Sequence, residues 1–142
     1  MGLKIEINTR EHFTVFGYVH HGYAVDSPWF QGSAKIQTYT LDELLGTKMR
    51  ALYQRKKSRD LFDLWRGMTT PGVSPGKMVQ AFQVYMKHGA TPVTKADYVD
   101  NLAFKLKDKP FMTDIKPLLP PGQEYDPHVA ADMVLKKLIP LM

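Results

Sequence analysis

The segment from residue 41 to residue 55 combines an apolar helical stripe with two basic side chains on the same face. Its apolar positions recur at the three- and four-residue spacing of one helix face, and they are Leu41, Leu44, Leu45, Ala51 and Leu52. Lys48 lies three or four residues from four of these positions, and Arg55 continues the stripe. A basic side chain on a packing face costs free energy unless its charge reaches water or meets an anion. The sequence therefore predicts a helix whose Lys48 either extends to solvent or serves a polar pocket.

Capping signals divide the chain after residue 40 into several helices. Thr40 with Glu43 three residues later predicts the start of a first helix that runs to about Arg55. Ser58 predicts the cap of a second helix, which ends at Gly67. The same kind of signal predicts three further helices, at residues 75–88, 95–107 and 127–138.

The first forty residues favour β-structure. Residues 3–8 alternate apolar and polar side chains, which predicts a half-buried strand. Further strands are predicted at residues 13–19 and 34–39, separated by Gly22 and by the turn signal Asp26-Ser27-Pro28. We interpret Trp29, Phe30 and Tyr39 as packing residues.

Length and composition favour one domain. A chain of 142 residues with 44% hydrophobic content is long enough for one hydrophobic core and too short for two domains of ordinary size. We therefore predict a single α+β domain over residues 1–142, in which residues 1–40 form a small antiparallel or mixed sheet and residues 41–142 form a mainly helical bundle.

Charge and residue usage narrow the classes of function. The formal net charge of +5 suits an anionic partner. The chain has no cysteine, which excludes disulfides, thiolate zinc sites and cysteine nucleophiles. No apolar run of about 18 residues and no basic-then-apolar leader is found in the sequence, so we expect no membrane span and a cytoplasmic location.

The pattern E-L-L-x-x-K-x-R-A-L-x-x-R-x-x-x-R-D-L-x-D-L occupies residues 43–64. It resembles the signature of the AbiEii/AbiGii toxin family of nucleotidyltransferases, which are relatives of DNA polymerase beta. Residues 3–8, LKIEIN, resemble the strand that precedes this signature in the family, and the rest of the chain is loosely similar to the family's helical tail. The resemblance implies the fold of the C-terminal part of a polymerase-beta-like nucleotidyltransferase.

One departure from the family pattern concerns the catalytic motif. In the family, a Gly-Gly-Ser/Thr-rich helix start and a pair of metal-binding carboxylates lie upstream of the strand. In this sequence only Met1 and Gly2 precede residues 3–8. The resemblance therefore implies a C-terminal portion without the catalytic carboxylate pair, and we expect the chain to be inactive by itself.

The resemblance also implies roles for individual residues. Nucleotidyl transfer uses divalent cations held by carboxylates, while lysine and arginine neutralise the triphosphate. The implied cofactor is Mg²⁺, and Glu6 corresponds to the family's third sheet carboxylate. Lys48 and Arg55 would reach the triphosphate. The residues that would line the nucleotide or acceptor pocket are Arg59, Asp60 and Asp63. The site hypothesis has three sets: catalytic Lys48, Asp60 and Asp63, nucleotide-binding Lys48, Arg55 and Arg59, and metal-binding Glu6.

Each of these positions also has a purely structural interpretation. Glu6 lies on the polar side of an alternating strand, which normally faces solvent. Asp60 is electrostatically favoured near a helix N-terminus, and Arg59 with Asp63 has the spacing of a surface ion pair. A basic cluster would either contact a phosphate backbone or form a solvated helix surface, and its members are Arg50, Arg55, Lys56, Lys57, Arg59 and Arg66.

Two hypotheses of function remain. In the first, the chain is the C-terminal portion of a toxin that transfers nucleotides from a nucleoside triphosphate to an RNA acceptor, which is tRNA in some family members. Its other expected partners are a cognate antitoxin and a second copy paired through an open sheet edge. In the second, the chain is a noncatalytic remnant or interaction module that binds nucleotide, RNA or a partner protein. The catalytic carboxylate pair distinguishes the two.

Overall fold

The computed structural model of the protein describes residues 11–142. The chain divides into two compact units, Met1–Tyr39 and Thr40–Met142. The predicted strand at residues 3–8, with Glu6, lies outside the described residues. In the described part an antiparallel pair of strands precedes a series of helices, which confirms the predicted α+β class.

The strands are β1 (Tyr18–Ser27) and β2 (Phe30–Tyr39). The α-helices are α1 (Leu41–Gln54), α2 (Ser58–Met68), α3 (Pro75–His88), α4 (Lys95–Leu106), α5 (Lys109–Thr113) and α6 (Pro127–Lys137). Two short 3-10 turns occupy Lys116–Leu118 and Ile139–Leu141. Of the helices in the described part of the chain, none is long and apolar enough to cross a bilayer.

The N-terminal unit contains a β-hairpin. Strands β1 and β2 pair in register from Tyr18 opposite Tyr39 to Ser27 opposite Phe30, with a two-residue turn between them. The strand predicted at residues 13–19 is wrong over most of its length, because β1 begins at Tyr18 and continues through Gly22. The strand predicted at residues 34–39 is the second half of β2. Glycine did not interrupt β1 because an exposed two-stranded ribbon requires no side chain there for packing.

The hairpin turn explains a second error. Trp29 is 92% exposed and Phe30 is 63% exposed, so neither is a packing residue. Both lie at the turn, where the Phe30 amide donates a hydrogen bond to Ser27 Oγ at 3.1 Å. Tyr39 is half-buried, and its ring centroid lies 5.4 Å from that of Tyr18 across the strand pair.

The C-terminal unit has its core between α1, α2, α3, α4 and α6. On α1 the buried stripe consists of Leu45, Met49 and Leu52, whereas Leu41 and Leu44 are exposed. Lys48 therefore lies at the margin of the packing face, beside the exposed leucines. Its ammonium group can therefore reach a polar environment without crossing the core.

Most helix starts agree with the capping signals. Thr40 Oγ1 accepts a hydrogen bond from the Glu43 amide, and Thr94 with Asp97 forms a complete capping box. Ser58 differs from its prediction, because it is the first residue of α2 rather than its cap. Its hydroxyl and amide both donate to Asp114 Oδ1, so a carboxylate 56 residues away satisfies this helix start.

We expect Leu52→Ala to lower the free energy of unfolding by about 2 to 4 kcal/mol, because a buried leucine leaves a cavity when it is truncated. Leu52 is 1% exposed in the core of the C-terminal unit. Urea unfolding followed by circular dichroism would measure the loss. Leu44→Ala on the exposed margin of the same helix is the matched control, and equal losses for the two variants would contradict this assignment of the buried stripe.

Candidate functional site

Four charged side chains from α1 and α2 form one network. Lys48 Nζ lies 2.7 Å from Asp63 Oδ2 and 3.8 Å from Asp60 Oδ1. Arg55 donates to Asp60 through both Nε and Nη2, each at 2.7 Å. Lys48 lies on α1 and Arg55 is the residue that follows the helix in extended conformation, and the two carboxylates meet them from α2. The structure thus brings together four of the residues that the site hypothesis named.

Asp60 is the most constrained member of this network. Its side chain is fully buried, whereas that of Arg55 is 45% exposed. A buried carboxylate is stable only when it is paired and hydrogen-bonded, and the parallel bonds from the guanidinium supply both oxygens with a donor. The hydrogen bonds with Asp60 raise the pKa of the Arg55 guanidinium, and partial burial opposes this effect. Asp60 therefore holds the Arg55 guanidinium in place and also attracts the Lys48 ammonium.

A groove lies along α1 next to the network. It has a volume of about 460 Å³ and is lined by Thr47, Lys48, Arg50, Ala51, Gln54 and Arg55. Three of these residues are cationic, so the groove is suited to an anionic ligand. The Arg50 guanidinium carbon lies 4.9 Å from the Tyr85 ring centroid, and the Tyr85 hydroxyl donates to the buried Glu43 carboxylate at 2.8 Å. The α3 helix thus helps to orient one cation of the groove.

One described residue of the site hypothesis, Arg59, is outside this arrangement. Arg59 is exposed on α2, and Asp63 forms its ion pair with Lys48 instead of with Arg59. The surface ion pair that the spacing of Arg59 and Asp63 indicated is therefore not present. Glu6 lies outside the described residues.

The described carboxylates do not fit a magnesium ion. Within residues 11–142 no group of three or more histidine, aspartate or glutamate side chains is placed to hold a metal. Both oxygens of Asp60 accept from Arg55, and Asp63 is bound to Lys48. This arrangement supports a role for the two aspartates in holding cationic side chains.

Lys105 is a buried cation that the sequence interpretation missed. Its ammonium group donates to the backbone oxygens of Leu52 and Tyr53, at 2.8 Å for the latter, so α4 closes the C-terminus of α1. A positive charge at this end of a helix is favoured by the helix dipole. The signal was present in the sequence, because Lys105 follows Tyr98 and Leu102 on the packing face of α4, as Lys48 follows leucines on α1.

Lys105 should give the protein a measurable pH dependence. Burial lowers the pKa of its ammonium to about 8 from 10.5, an effect that Asp60 opposes and Lys56 reinforces. Between pH 8 and 10.5 the unfolded chain binds a proton that the folded protein has lost, so the contribution of Lys105 to the free energy of unfolding rises with pH. We expect the wild type to gain about 1 to 2 kcal/mol relative to Lys105→Met between about pH 7.5 and 9.5.

Urea unfolding of both proteins at the two pH values would measure this difference. Lys137→Met, which removes an exposed lysine of α6, is the matched control and should show the wild-type pH dependence. Parallel pH profiles for the wild type and Lys105→Met would contradict a lowered pKa.

Comparison with known proteins identifies one family. A family model described as "Nucleotidyl transferase AbiEii toxin, Type IV TA system" matches residues 2–136. No curated protein and no solved structure gives a significant match. The family match covers nearly the whole chain, including the four residues of the charged network and the groove of α1. The chain belongs to the AbiEii family of nucleotidyltransferase toxins of type IV toxin–antitoxin systems.

Proposed function

We propose that this chain is the part of an AbiEii nucleotidyltransferase that binds the triphosphate of the incoming nucleotide, for transfer to an RNA acceptor such as tRNA. One observation carries the proposal. Lys48 and Arg55 line the same groove on α1, and each is held by a carboxylate of α2. Cations fixed before the ligand arrives stabilise phosphate charge without the cost of reorganisation.

The residues divide by role. Lys48 and Arg55 neutralise the phosphates, and the bidentate donor geometry of arginine suits a phosphate as well as a carboxylate. Asp60 is a positioning residue that holds Arg55, and Asp63 does the same for Lys48. Arg59, exposed one residue before Asp60, contacts the nucleotide or the acceptor. The assignment of Glu6 as a magnesium ligand stays a prediction.

The charge balance of the groove determines how tightly a nucleotide binds. Its cations are Lys48, Arg50 and Arg55, and the carboxylates of Asp63 and Asp60 offset part of their charge by pairing with Lys48 and Arg55. A nucleoside triphosphate carries several negative charges. We therefore expect weak binding that improves with the number of phosphates.

Binding by the purified chain provides the test. Calorimetric titration with ATP, ADP and AMP in magnesium should give affinities that fall in that order. Lys48→Met and Arg55→Gln should each weaken ATP binding about tenfold, because each removes a charge-assisted contact. Lys48→Met should keep or slightly raise the melting temperature, since Lys48 lies at the margin of the packing face.

Lys137→Met is the matched control, with the same change of charge on α6 and no expected effect on ATP binding. Equal affinities for ATP and AMP, or no loss of affinity in Lys48→Met, would refute the triphosphate groove. A large fall in melting temperature for Lys48→Met would show that the lysine is structural.

Several partners belong to the same proposal. The family match supports the pairing of this chain with an antitoxin as one toxin–antitoxin system. Self-association through an open sheet edge would appear in sedimentation velocity as a concentration-dependent dimer. We also propose a cytoplasmic location, where both nucleoside triphosphates and tRNA are found.

A further inference from the structure

Two connectors that are far apart in the sequence lie side by side in the C-terminal unit. One joins α1 to α2, and the other joins α4 to α5. Lys56 Nζ lies 2.7 Å from Asp108 Oδ1, and the Ser58 amide donates to Asp114 at 3.3 Å. Lys105 bonds to the last turn of α1 in the same region. The Lys56–Asp108 ion pair joins the two connectors directly, and the other two contacts hold the adjoining ends of α1, α2, α4 and α5 together.

Exposed cations lie next in sequence to the residues of two of these contacts. Lys57 and Arg59 flank Ser58, and Lys107 and Lys109 flank Asp108. The nearby carboxylates are largely engaged: Asp60 binds Arg55, Asp108 binds Lys56 and Asp114 binds Ser58. Asp100 is a further acidic side chain on α4. The exposed charge of this region is therefore positive. The basic residues of the α1–α2 connector could not show this from the sequence alone, because the nearby carboxylates come from α2, α4, the α4–α5 connector and the end of α5.

An exposed aromatic ring lies within this basic region. Phe104 is 67% exposed, and Lys56 Nζ lies 5.2 Å from its ring centroid. A large apolar ring that is mostly in water among cations contributes little to the core. Cations that follow a phosphate backbone, combined with an aromatic ring on which a base stacks, are typical of surfaces that bind single-stranded nucleic acid. We define the connector surface as Lys57, Arg59, Phe104, Lys107 and Lys109.

The connector surface begins where the groove of α1 ends. Arg55 lines the groove, and Lys57, two residues later, belongs to the connector surface. A polymer bound along these cations would therefore have one end close to the position proposed for the triphosphate. An acidic protein segment would also be attracted by the cations, but it would not require an exposed flat ring beside them.

We propose that the connector surface binds a single-stranded segment of the acceptor RNA, with the backbone on its cations and a base stacked on Phe104. The choice of RNA as the ligand, and of its end as the part that receives the nucleotide, rests on the proposed function. Binding itself does not depend on transfer activity. The surface and the triphosphate groove can therefore be tested separately on the same chain.

The first test is fluorescence anisotropy with the 142-residue chain and a labelled, unstructured RNA of about 12 nucleotides. Lys107→Gln with Lys109→Gln should weaken binding about tenfold and make the slope of log affinity against log salt shallower by about 0.7 for each lost phosphate contact. Lys87→Gln with Lys137→Gln makes the same change of charge on α3 and α6 and should alter affinity less than twofold. Equal losses in both pairs would mean attraction by net charge alone and would overturn the proposal.

The second test separates stacking from charge. Phe104→Leu should weaken binding of the single strand about fivefold or more and leave binding of the same RNA annealed to its complement unchanged, because paired bases are not free to stack on a side chain. Equal effects on both RNAs, or none, would overturn the stacking role. Polyglutamate that binds as tightly as the RNA and is unaffected by Phe104→Leu would indicate an acidic protein partner instead, and would overturn the assignment of RNA.

Failure of this inference differs from failure of the proposed function. If the connector surface is wrong, the Lys107 and Lys109 variant will lose no more RNA binding than the control pair and will retain ATP binding. If only the triphosphate groove is wrong, Lys48→Met will leave ATP binding unchanged while the connector variants still lose RNA. Melting temperatures within about 2 °C of wild type would show that each variant is folded.

Discussion

Lys48→Ala is expected to lower nucleotidyl transfer by at least about 100-fold in any form of the protein that transfers label, because it removes a fixed positive charge from the developing phosphate charge. Asp60→Ala should reduce transfer as well, since Arg55 would lose the carboxylate that accepts both of its hydrogen bonds. The variant at Asp60 should chiefly raise the KM for the triphosphate, because it acts by positioning.

The transfer assay uses labelled nucleoside triphosphates, magnesium and total tRNA. We expect the 142-residue chain to transfer no label by itself. A polypeptide that carries the family's glycine-serine motif and two carboxylates, supplied in cis or as a second chain, should restore transfer. Lys137→Ala, which removes an exposed lysine of α6, should be as active as the wild type.

The outcomes separate the two hypotheses of function. Restored transfer that depends on Lys48 would support the nucleotidyltransferase. RNA or nucleotide binding without any restored transfer would favour a noncatalytic interaction module. Strong labelling by the isolated chain would refute our account of the site, because it would require a metal site that the carboxylates of residues 11–142 do not form.

Gly46→Ala should be among the most destabilising single changes in the C-terminal unit, with a loss of about 3 kcal/mol or more. Gly46 lies where α1 crosses α3, and a β-carbon there would stand 2.6 Å from Ala81 Cβ and 2.7 Å from the Met78 backbone oxygen. The clash is largely with backbone, so it cannot be relieved by rotation of one side chain. The two helices must move apart, which reduces packing along the whole of their contact.

Gly67→Ala is the informative control. A β-carbon at Gly67 would also be too close to its neighbours, at 2.4 Å from Leu45 Cδ2, but the atoms it meets belong to the end of a flexible side chain. We expect a loss smaller than that of Gly46→Ala by at least about 2 kcal/mol. Similar urea midpoints for the two variants would contradict the close crossing of α1 and α3.

The helices of the C-terminal unit were the most predictable part of the fold. Their starts depend on side chains that bond to a backbone amide three residues away, as Thr40 and Thr94 do, so the signal is local. The start of α2 was assigned less well because Asp114, which accepts from Ser58, is 56 residues away. The hairpin was misplaced for a related reason: its register depends on pairing across the turn, while Gly22 indicated a break.

The sequence named four residues that the structure places in one charged network, but it did not predict how they pair. Lys48, Arg55, Asp60 and Asp63 were identified from a family pattern and from a lysine among leucines. Their pairing depends on how α2 packs against α1, which places Asp63 beside Lys48 and not beside Arg59. The contribution of Lys107, Lys109 and Phe104 to a basic surface could not be seen either, because it exists only where the two connectors meet.

The two hydrogen bonds between Arg55 and Asp60 span the short connector between α1 and α2 and hold its ends together. Because Asp60 is inaccessible to solvent, dissolved ions cannot surround it, and salt screens such a pair much less than it screens charges in water. The exposed lysines of the connector surface have no such protection. Raising the ionic strength should therefore release a polyanion bound to the connector surface long before it separates Arg55 from Asp60, so the shape of the groove should survive salt concentrations that remove the RNA.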